Sequence, residues 1–374
     1  MEVNMADIKE VESLWAHESA FFAASNSFMG FHSYFEEIFR ARDVEHLYII
    51  KGGPGTGKSS LMRYIATEHK RCGADIEYYY CSSDQSSLDG IIVRHGKRCF
   101  AVIDGTAPHS FDTVLPGVRD EIIDLGRFWD TAKLREEACA SEIMRLVAEK
   151  AKSFERALEH LAAYERVSAA IDSIMDEYTY QDGIAKYAVS LLDSFGSRAC
   201  GDVRVGLIDS VGVHGRIRLG TYERLADKVI TVRDTFGCGY RLMKCVYLLA
   251  LERGLAAGVS FDPIIPSRVN ALFFADAGIS LSVSESGDDE WVADGTECIG
   301  TRRFIDVIRY THDKVRLKRL TDTKSMLRDM ALGYFKESAE KHFALERIYV
   351  NAMDFDGLNS FRDTLCVRMM ELFA

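Results

Sequence analysis

Residues 52–59 read Gly52-Gly53-Pro54-Gly55-Thr56-Gly57-Lys58-Ser59 and fit G-x-x-x-x-G-K-[ST] in full. No other stretch restricts the fold as strongly. Glycines at this spacing let the backbone curl so that successive N–H groups point inward at an anion. The lysine at the end of such a loop reaches the β- and γ-phosphates of a nucleotide, and the next hydroxyl ligates Mg²⁺. The helix that follows adds its positive N-terminal pole. The pattern therefore predicts a P-loop in which residues 52–59, with Ser60 beside them, cradle the phosphates. Lys58 stabilises the transferring phosphate, and Ser59 holds the metal.

A P-loop needs a strand before it and a helix after it. Residues 47–50 (Leu-Tyr-Ile-Ile) read as a short buried strand. Leu61 and Ile65 recur at helical spacing, and the helix stops near Lys70, Arg71 and Gly73. A second strand follows at 76–81, giving a βαβ unit. A third apolar strand, Cys99-Phe100-Ala101-Val102-Ile103, ends in Asp104. That is the Walker B pattern, and Asp104 is expected to hold Mg²⁺ opposite Ser59. Many ATPases place a Glu directly after this Asp, but here the residue is Gly105. The water-activating group is left open among Asp84 and Asp89, expected on the loop after the second strand, and His109. The guanine-reading pattern N/T-K-x-D is absent, Thr323-Lys324-Ser325-Met326 coming nearest, so ATP is preferred over GTP.

Charge narrows the partners. The 374-residue chain has a formal net charge of −11, and nonspecific nucleic-acid binding draws its affinity from basic surface. Nucleic acid is not an expected partner. The basic stretch from Arg302 to Arg319 reads as a solvated face of a strand and a helix. Nine cysteines without C-x-x-C spacing read as reduced thiols in a cytoplasmic protein. No apolar run reaches the ~20 residues of a membrane span.

The chain also contains a second, altered copy of the loop. Residues 229–241 read Val-Ile-Thr-Val-Arg-Asp-Thr-Phe-Gly-Cys-Gly-Tyr-Arg, with Gly237 and Gly239 at one offset from Gly55 and Gly57. At that offset Gly212-Val213-His214 falls on Gly30-Phe31-His32, and a shorter gap aligns residues 271–276 with the strand ending at Asp104. In the copy Asp234 replaces Gly52, Tyr240 replaces Lys58 and Arg241 replaces Ser59. The phosphate lysine and metal hydroxyl are lost, so a folded loop without ordinary nucleotide binding is expected. His32, having His214 as its counterpart, reads as structural. Arg241 reads as a surface residue rather than an arginine finger.

Each copy is followed by helical sequence. Ile143, Val147, Ala151, Phe154, Leu158 and Leu161 form one amphipathic stripe, and Val167, Ile171, Ile174, Met175 and Tyr178 form the next. Together they suggest an antiparallel helical hairpin, with a linker at 196–202. The chain closes with a helix near 324–353 and a last one carrying Phe361, Leu365, Met369 and Leu372, with Ser360 as its N-cap. These helices complete the core or form arms that engage a protein partner.

Residues 51–59, Cys81-Ser82-Ser83-Asp84 with Leu88-Asp89-Gly90, and residues 103–109 resemble an uncharacterised bacterial family of two-repeat P-loop ATPases. Phe31-His32 and Phe128-Trp129-Asp130 share that pattern. The resemblance implies tandem architecture and ATP binding and little about biological role. It departs from the family at Asp234, Tyr240 and Arg241. The expected fold is α/β, with tandem P-loop NTPase-like domains of parallel sheets flanked by helices, each followed by a helical hairpin. The boundary is expected at 198/199: residues 1–198 carry the intact site and residues 199–374 the degenerate one. The expected function is Mg²⁺-dependent ATP hydrolysis at the N-terminal site. A small-molecule kinase and a nucleotide-gated interaction protein with negligible turnover are the alternatives, and homo-oligomerisation is among the expected associations.

Overall fold

A computed structural model describes residues 19–41, 43–108, 110–285 and 296–373. The strands of the first sheet are Ala20–Phe22 (β1), His46–Lys51 (β4), Asp75–Tyr80 (β5), Leu88–His95 (β6), Arg98–Asp104 (β7) and Asp120–Asp124 (β8). Ala24–Ser27 (β2) and Gly30–Ser33 (β3) form a separate hairpin. The sheet order is β1-β5-β6-β7-β4-β8. β4 lies between β7 and β8, parallel to both, and Leu47, Tyr48, Ile49 and Ile50 are fully buried. This burial accounts for the unbroken apolar run before the loop.

The sheet is mixed, not parallel as expected. β6 runs antiparallel to β5 and β7. It enters β7 through a two-residue turn in which Gly96 has φ +60°, and so short a connection can join only antiparallel strands.

The second sheet contains Val203–Val205 (β9), Lys228–Arg233 (β12), Ala257–Phe261 (β13), Val269–Phe274 (β14), Ile279–Ser284 (β15) and Glu297–Gly300 (β16). Asp209–Gly212 (β10) and Gly215–Arg218 (β11) form its hairpin. Read from β9, the order β9-β13-β14-β15-β12-β16 repeats the first sheet strand for strand, with the same parallel and antiparallel pairings.

This topology corrects two sequence matches. The strand in the place of β7 is β15, whereas residues 271–276 fall on β14 and just beyond it, in the place of β6. Asp276 accepts from the N–H groups of Arg198 and Ala199 at 2.7 and 2.8 Å and so anchors the linker. In the hairpins, Ser27 pairs with Gly30 and Gly212 with Gly215. Gly30 therefore corresponds to Gly215, and His214, in the turn, is not the counterpart of His32 on β3.

The helices are Phe35–Phe39 (α1), Lys58–Arg71 (α2), Thr131–Leu134 (α3), Glu137–Asp176 (α4), Gln181–Phe195 (α5), Thr221–Leu225 (α6), Cys238–Glu252 (α7), Lys314–Val350 (α8) and Phe355–Phe373 (α9). Apart from Tyr178, just past its end, the two stripes read as a hairpin lie on one 40-residue helix, α4. Glu137–Asp176 contains neither Gly nor Pro, so nothing breaks it. Its partner is α8. Lys150 meets His342, Ser153 meets Glu337 and Arg156 meets Tyr334, which makes the pair antiparallel. Ala157, Leu161 and Tyr164 of α4 and Ala331 and Phe335 of α8 share one buried cluster. Ser360 sits inside α9, not at its cap.

The remaining helices are exchanged. α5 buries Ile184, Ala188 and Leu192 against the second sheet and α7. α9, at the far end of the chain, buries Leu358, Leu365, Met369 and Phe373 in the core of the first sheet. No helix among the described residues is long and apolar enough to cross a membrane.

Candidate functional site

The loop between β4 and α2 starts at Gly52, where the buried strand ends, and turns at Gly55 and Gly57 with φ +70° and +78°. Both angles lie in the left-handed region that glycine adopts without strain. A Cβ on Gly55 would also stand 2.7 Å from Val350 Cγ2 and 2.8 Å from the Glu346 carbonyl oxygen, both on α8. Thr56 is buried and closes the loop by donating to Gly53 O at 2.9 Å. Pro54 is half-buried, and Ser60 is exposed on the first turn of α2.

Lys58 opens α2. Its Nζ donates to Gly52 O at 3.0 Å and Gly53 O at 2.7 Å and stands 3.5 Å from Asp104 Oδ2. Ser59 Oγ accepts from the Leu88 N–H at 3.0 Å. Asp104 ends β7, and its Oδ1 accepts from the Thr106 N–H at 2.8 Å. Thr106 donates in turn to Gly52 O at 2.7 Å. Burial pushes the Asp104 carboxyl up and Asp89 adds to this, against the pull of Lys58. Lys58, Ser59 and Asp104 are thus gathered at one end of the sheet.

The three remaining candidates have different fates. Asp89 is not on a loop: it is the second residue of β6, nearly fully buried, at the same sheet end as Asp104 because β6 runs antiparallel to β7. Asp84 is held on its loop by Ser86 and Ser87, whose hydroxyls each donate at 2.6 Å, and lies 3.8 Å from His214 Nε2 of the β10–β11 turn. Against the cost of burial, these donors hold its carboxyl down at about 2, so it stays an anion and is a poor proton acceptor. His109 lies outside the described residues.

Gly105 explains the missing glutamate. A Cβ there would stand 2.4 Å from Ile49 Cγ2 and 3.1 Å from Phe111 O. β7 passes too close to β4 for any side chain at this position, so a carboxylate beside Asp104 has to come from elsewhere.

Sequence reading missed the groups brought by the long helices. Glu346 accepts from the Gly55 N–H, and burial with the nearby Asp84 raises its carboxyl. One turn earlier, His342 Nδ1 meets Lys150 Nζ of α4 at 3.1 Å. Burial and the Lys150 charge hold His342 down at about 4, so it is neutral at pH 7. Trp129 packs on Gly53 and against Tyr349 of α8. Apart from Trp129, nothing in the local sequence distinguishes these residues from the other polar positions of an amphipathic helix.

The loop at 234–241 is closed differently. The Asp234 carboxylate accepts from the N–H groups of Gly237 at 2.8 Å and Gly239 at 2.6 Å, filling the turn with its own anion. Tyr240 donates to Glu285 Oε1 at 3.2 Å, and Lys324 pairs with the same carboxylate at 3.2 Å. Arg241 is bound to α4 through Asp176 at 2.5 Å and Asp172 O at 2.9 Å, and is not a free surface residue. A cavity of about 180 Å³ remains between Asp234, Arg268, Lys324 and Ser168.

Residues 31–94, from β3 through the glycine loop to β6, match the family model described as Nephrocystin 3, N-terminal. The match covers a minor part of the chain and shows a local similarity. No curated protein and no solved structure matches the chain.

Proposed function

We propose that the chain binds ATP with Mg²⁺ at residues 52–59 and hydrolyses it, the two sheets being tandem P-loop NTPase-like units of which the second has lost its site. The observation that supports this best is the convergence of Lys58, Ser59 and Asp104 at the mouth of a loop with two left-handed glycines. These residues fit the group: backbone N–H donors for phosphate oxygens, an ammonium for the γ-phosphate, and a hydroxyl and a carboxylate for Mg²⁺. When bound, the metal neutralises charge developing on the phosphates. Asp89, at the same sheet end, would be a second oxygen ligand, directly or through water. Lys58 Nζ donates to two carbonyls of its own loop. Turning it outward onto phosphate exchanges those two contacts for stronger charge-assisted ones.

A slow reaction or transfer to a small-molecule acceptor is favoured over rapid hydrolysis by two features. Position 105 has no room for a carboxylate, and Asp84 is held as an anion.

Calorimetry with Mg²⁺ and ATP on the wild type and Lys58→Ala, with ADP release followed in the same samples, tests the reading. Wild-type binding with turnover that the variant loses is expected. A wild type that binds no nucleotide would overturn it.

A further inference from the structure

Lys150 ties α4 to α8 through His342, but that contact leaves its charge unbalanced. It lies on α4, mostly removed from solvent, and its Nζ donates to the neutral imidazole of His342 at 3.1 Å. Among the described residues no carboxylate pairs with it. Its neighbour Glu149 is engaged by Arg145 and Lys341 instead. A sequestered ammonium without an acid is costly, and burial lowers its proton affinity, with the charge of Lys58 acting in the same direction. Lys58 itself is balanced by Asp104. Through His342, Lys150 is thus tied to α8 one turn before Glu346, which accepts from the Gly55 N–H of the loop, and among the described residues Lys58 has a carboxylate partner while Lys150 has none.

We propose that Lys150 binds the terminal phosphate of the nucleotide held by residues 52–59, and that His342 of α8 positions it. This rests on the ATP-binding reading above. A γ-phosphate is the anion that would reach both ammonium groups at once, because Lys58 comes from the first turn of α2 and Lys150 from a helix packed against α8 over the loop. In hydrolysis, water oxygen bonds to the γ-phosphorus and the bridging P–O bond breaks. ADP leaves with the electron pair, and the water's proton passes to solvent. The Lys150 ammonium opposes the negative charge on the γ-oxygens during this exchange, the task of an arginine finger. Lysine is the better fit beside His342, since a compact ammonium can donate to the imidazole and to phosphate together.

The test compares ATP and ADP. Binding of each with Mg²⁺ is measured on wild type, Lys150→Met, Lys150→Arg and His342→Gln, with ATP turnover in the same preparations and unfolding midpoints as a control. Lys150→Met should lose about 10-fold or more in ATP affinity with ADP affinity unchanged, and its turnover should fall ~100-fold, as on removal of one transition-state donor. Lys150→Arg should recover part of both, and His342→Gln should show a smaller loss with the same ATP-over-ADP signature. An unchanged ATP-to-ADP ratio and turnover in Lys150→Met, with wild-type stability, would overturn the proposal while leaving nucleotide binding intact. Equal loss of ATP and ADP would overturn it too, as a general disruption of the loop. If wild type binds neither nucleotide, the reading it rests on falls as well. Lys150→Arg, which keeps the charge, separates a misfolded Met variant from a missing cation.

Discussion

Glu346 and Asp234 show how one atom group decides what a glycine loop can do. Each carboxylate accepts loop N–H groups that would otherwise face an anion. Asp234 belongs to its own loop and cannot leave. Glu346 is brought by α8 and can. On the ATP-binding reading its negative charge competes with phosphate for the Gly55 N–H, so Glu346→Gln should tighten ATP binding by about 10-fold at pH 7, roughly the 1.4 kcal/mol of one charge-assisted hydrogen bond. The pH dependence follows from the sign of the shift. Protonating Glu346 removes the competing charge, and its carboxyl is already raised by burial and Asp84 against Lys58. Lowering the pH from 7 toward 5 should therefore narrow the gap between wild type and variant. Asp84 and His342, held at about 2 and about 4, keep one protonation state across that range, and the ratio of the two affinities removes the part of ATP's own titration that both proteins share. A constant ratio would show that the Glu346 charge does not compete. The glycines and Lys58 were legible from sequence because their role is backbone curvature and reach within eight residues. Glu346, His342 and Lys150 were not, since their role arises from packing between positions far apart in the chain, as Gly55 is from Glu346 and Lys150 from His342.

At the scale of elements, α4 and α8 matter most. Neither can bury its apolar stripe alone, and each is long enough, at ~1.5 Å per residue, to run from one loop to the other. The C-terminal end of α8 lies on Gly55, and that of α4 lies on Gly237 through Asp172. Leu161 is fully buried between them. Leu161→Ala should cost about 2–5 kcal/mol of stability, read as a lower urea midpoint. A change under about 0.5 kcal/mol, typical of surface sites, would mean that the helix pair does not hold the two halves together. The apolar stripes were legible, and their continuity was hidden only by reading two stripes as two helices. β6 was missed for another reason: an apolar run of this length is ambiguous by periodicity alone, and its direction is set by the two-residue turn to β7.

At the scale of the whole molecule the two sheets are interlocked. α5 closes the core of the second sheet and α9 that of the first. The β10–β11 hairpin rests on the 82–85 loop: Gln85 accepts from the His214 N–H at 3.0 Å and donates to Gly215 O at 3.0 Å. A cut at 198/199 strips each sheet of a helix that buries its apolar face. Expressed separately, residues 1–198 and 199–374 should each lack a cooperative unfolding transition, and co-expression should restore one. Two independently cooperative fragments would show that the exchange is dispensable. By itself the sequence determined the glycine loop, the buried strand before it, the helix after it, the Asp at the end of β7 and the repeat of that unit. These are encoded in contiguous residues, through backbone freedom and apolar periodicity. Only the tertiary structure decided the strand directions, the register of the hairpins, which helix covers which sheet, and that the first loop is roofed by the far end of the chain. Those depend on which apolar faces meet, and burial carries no record of sequence distance.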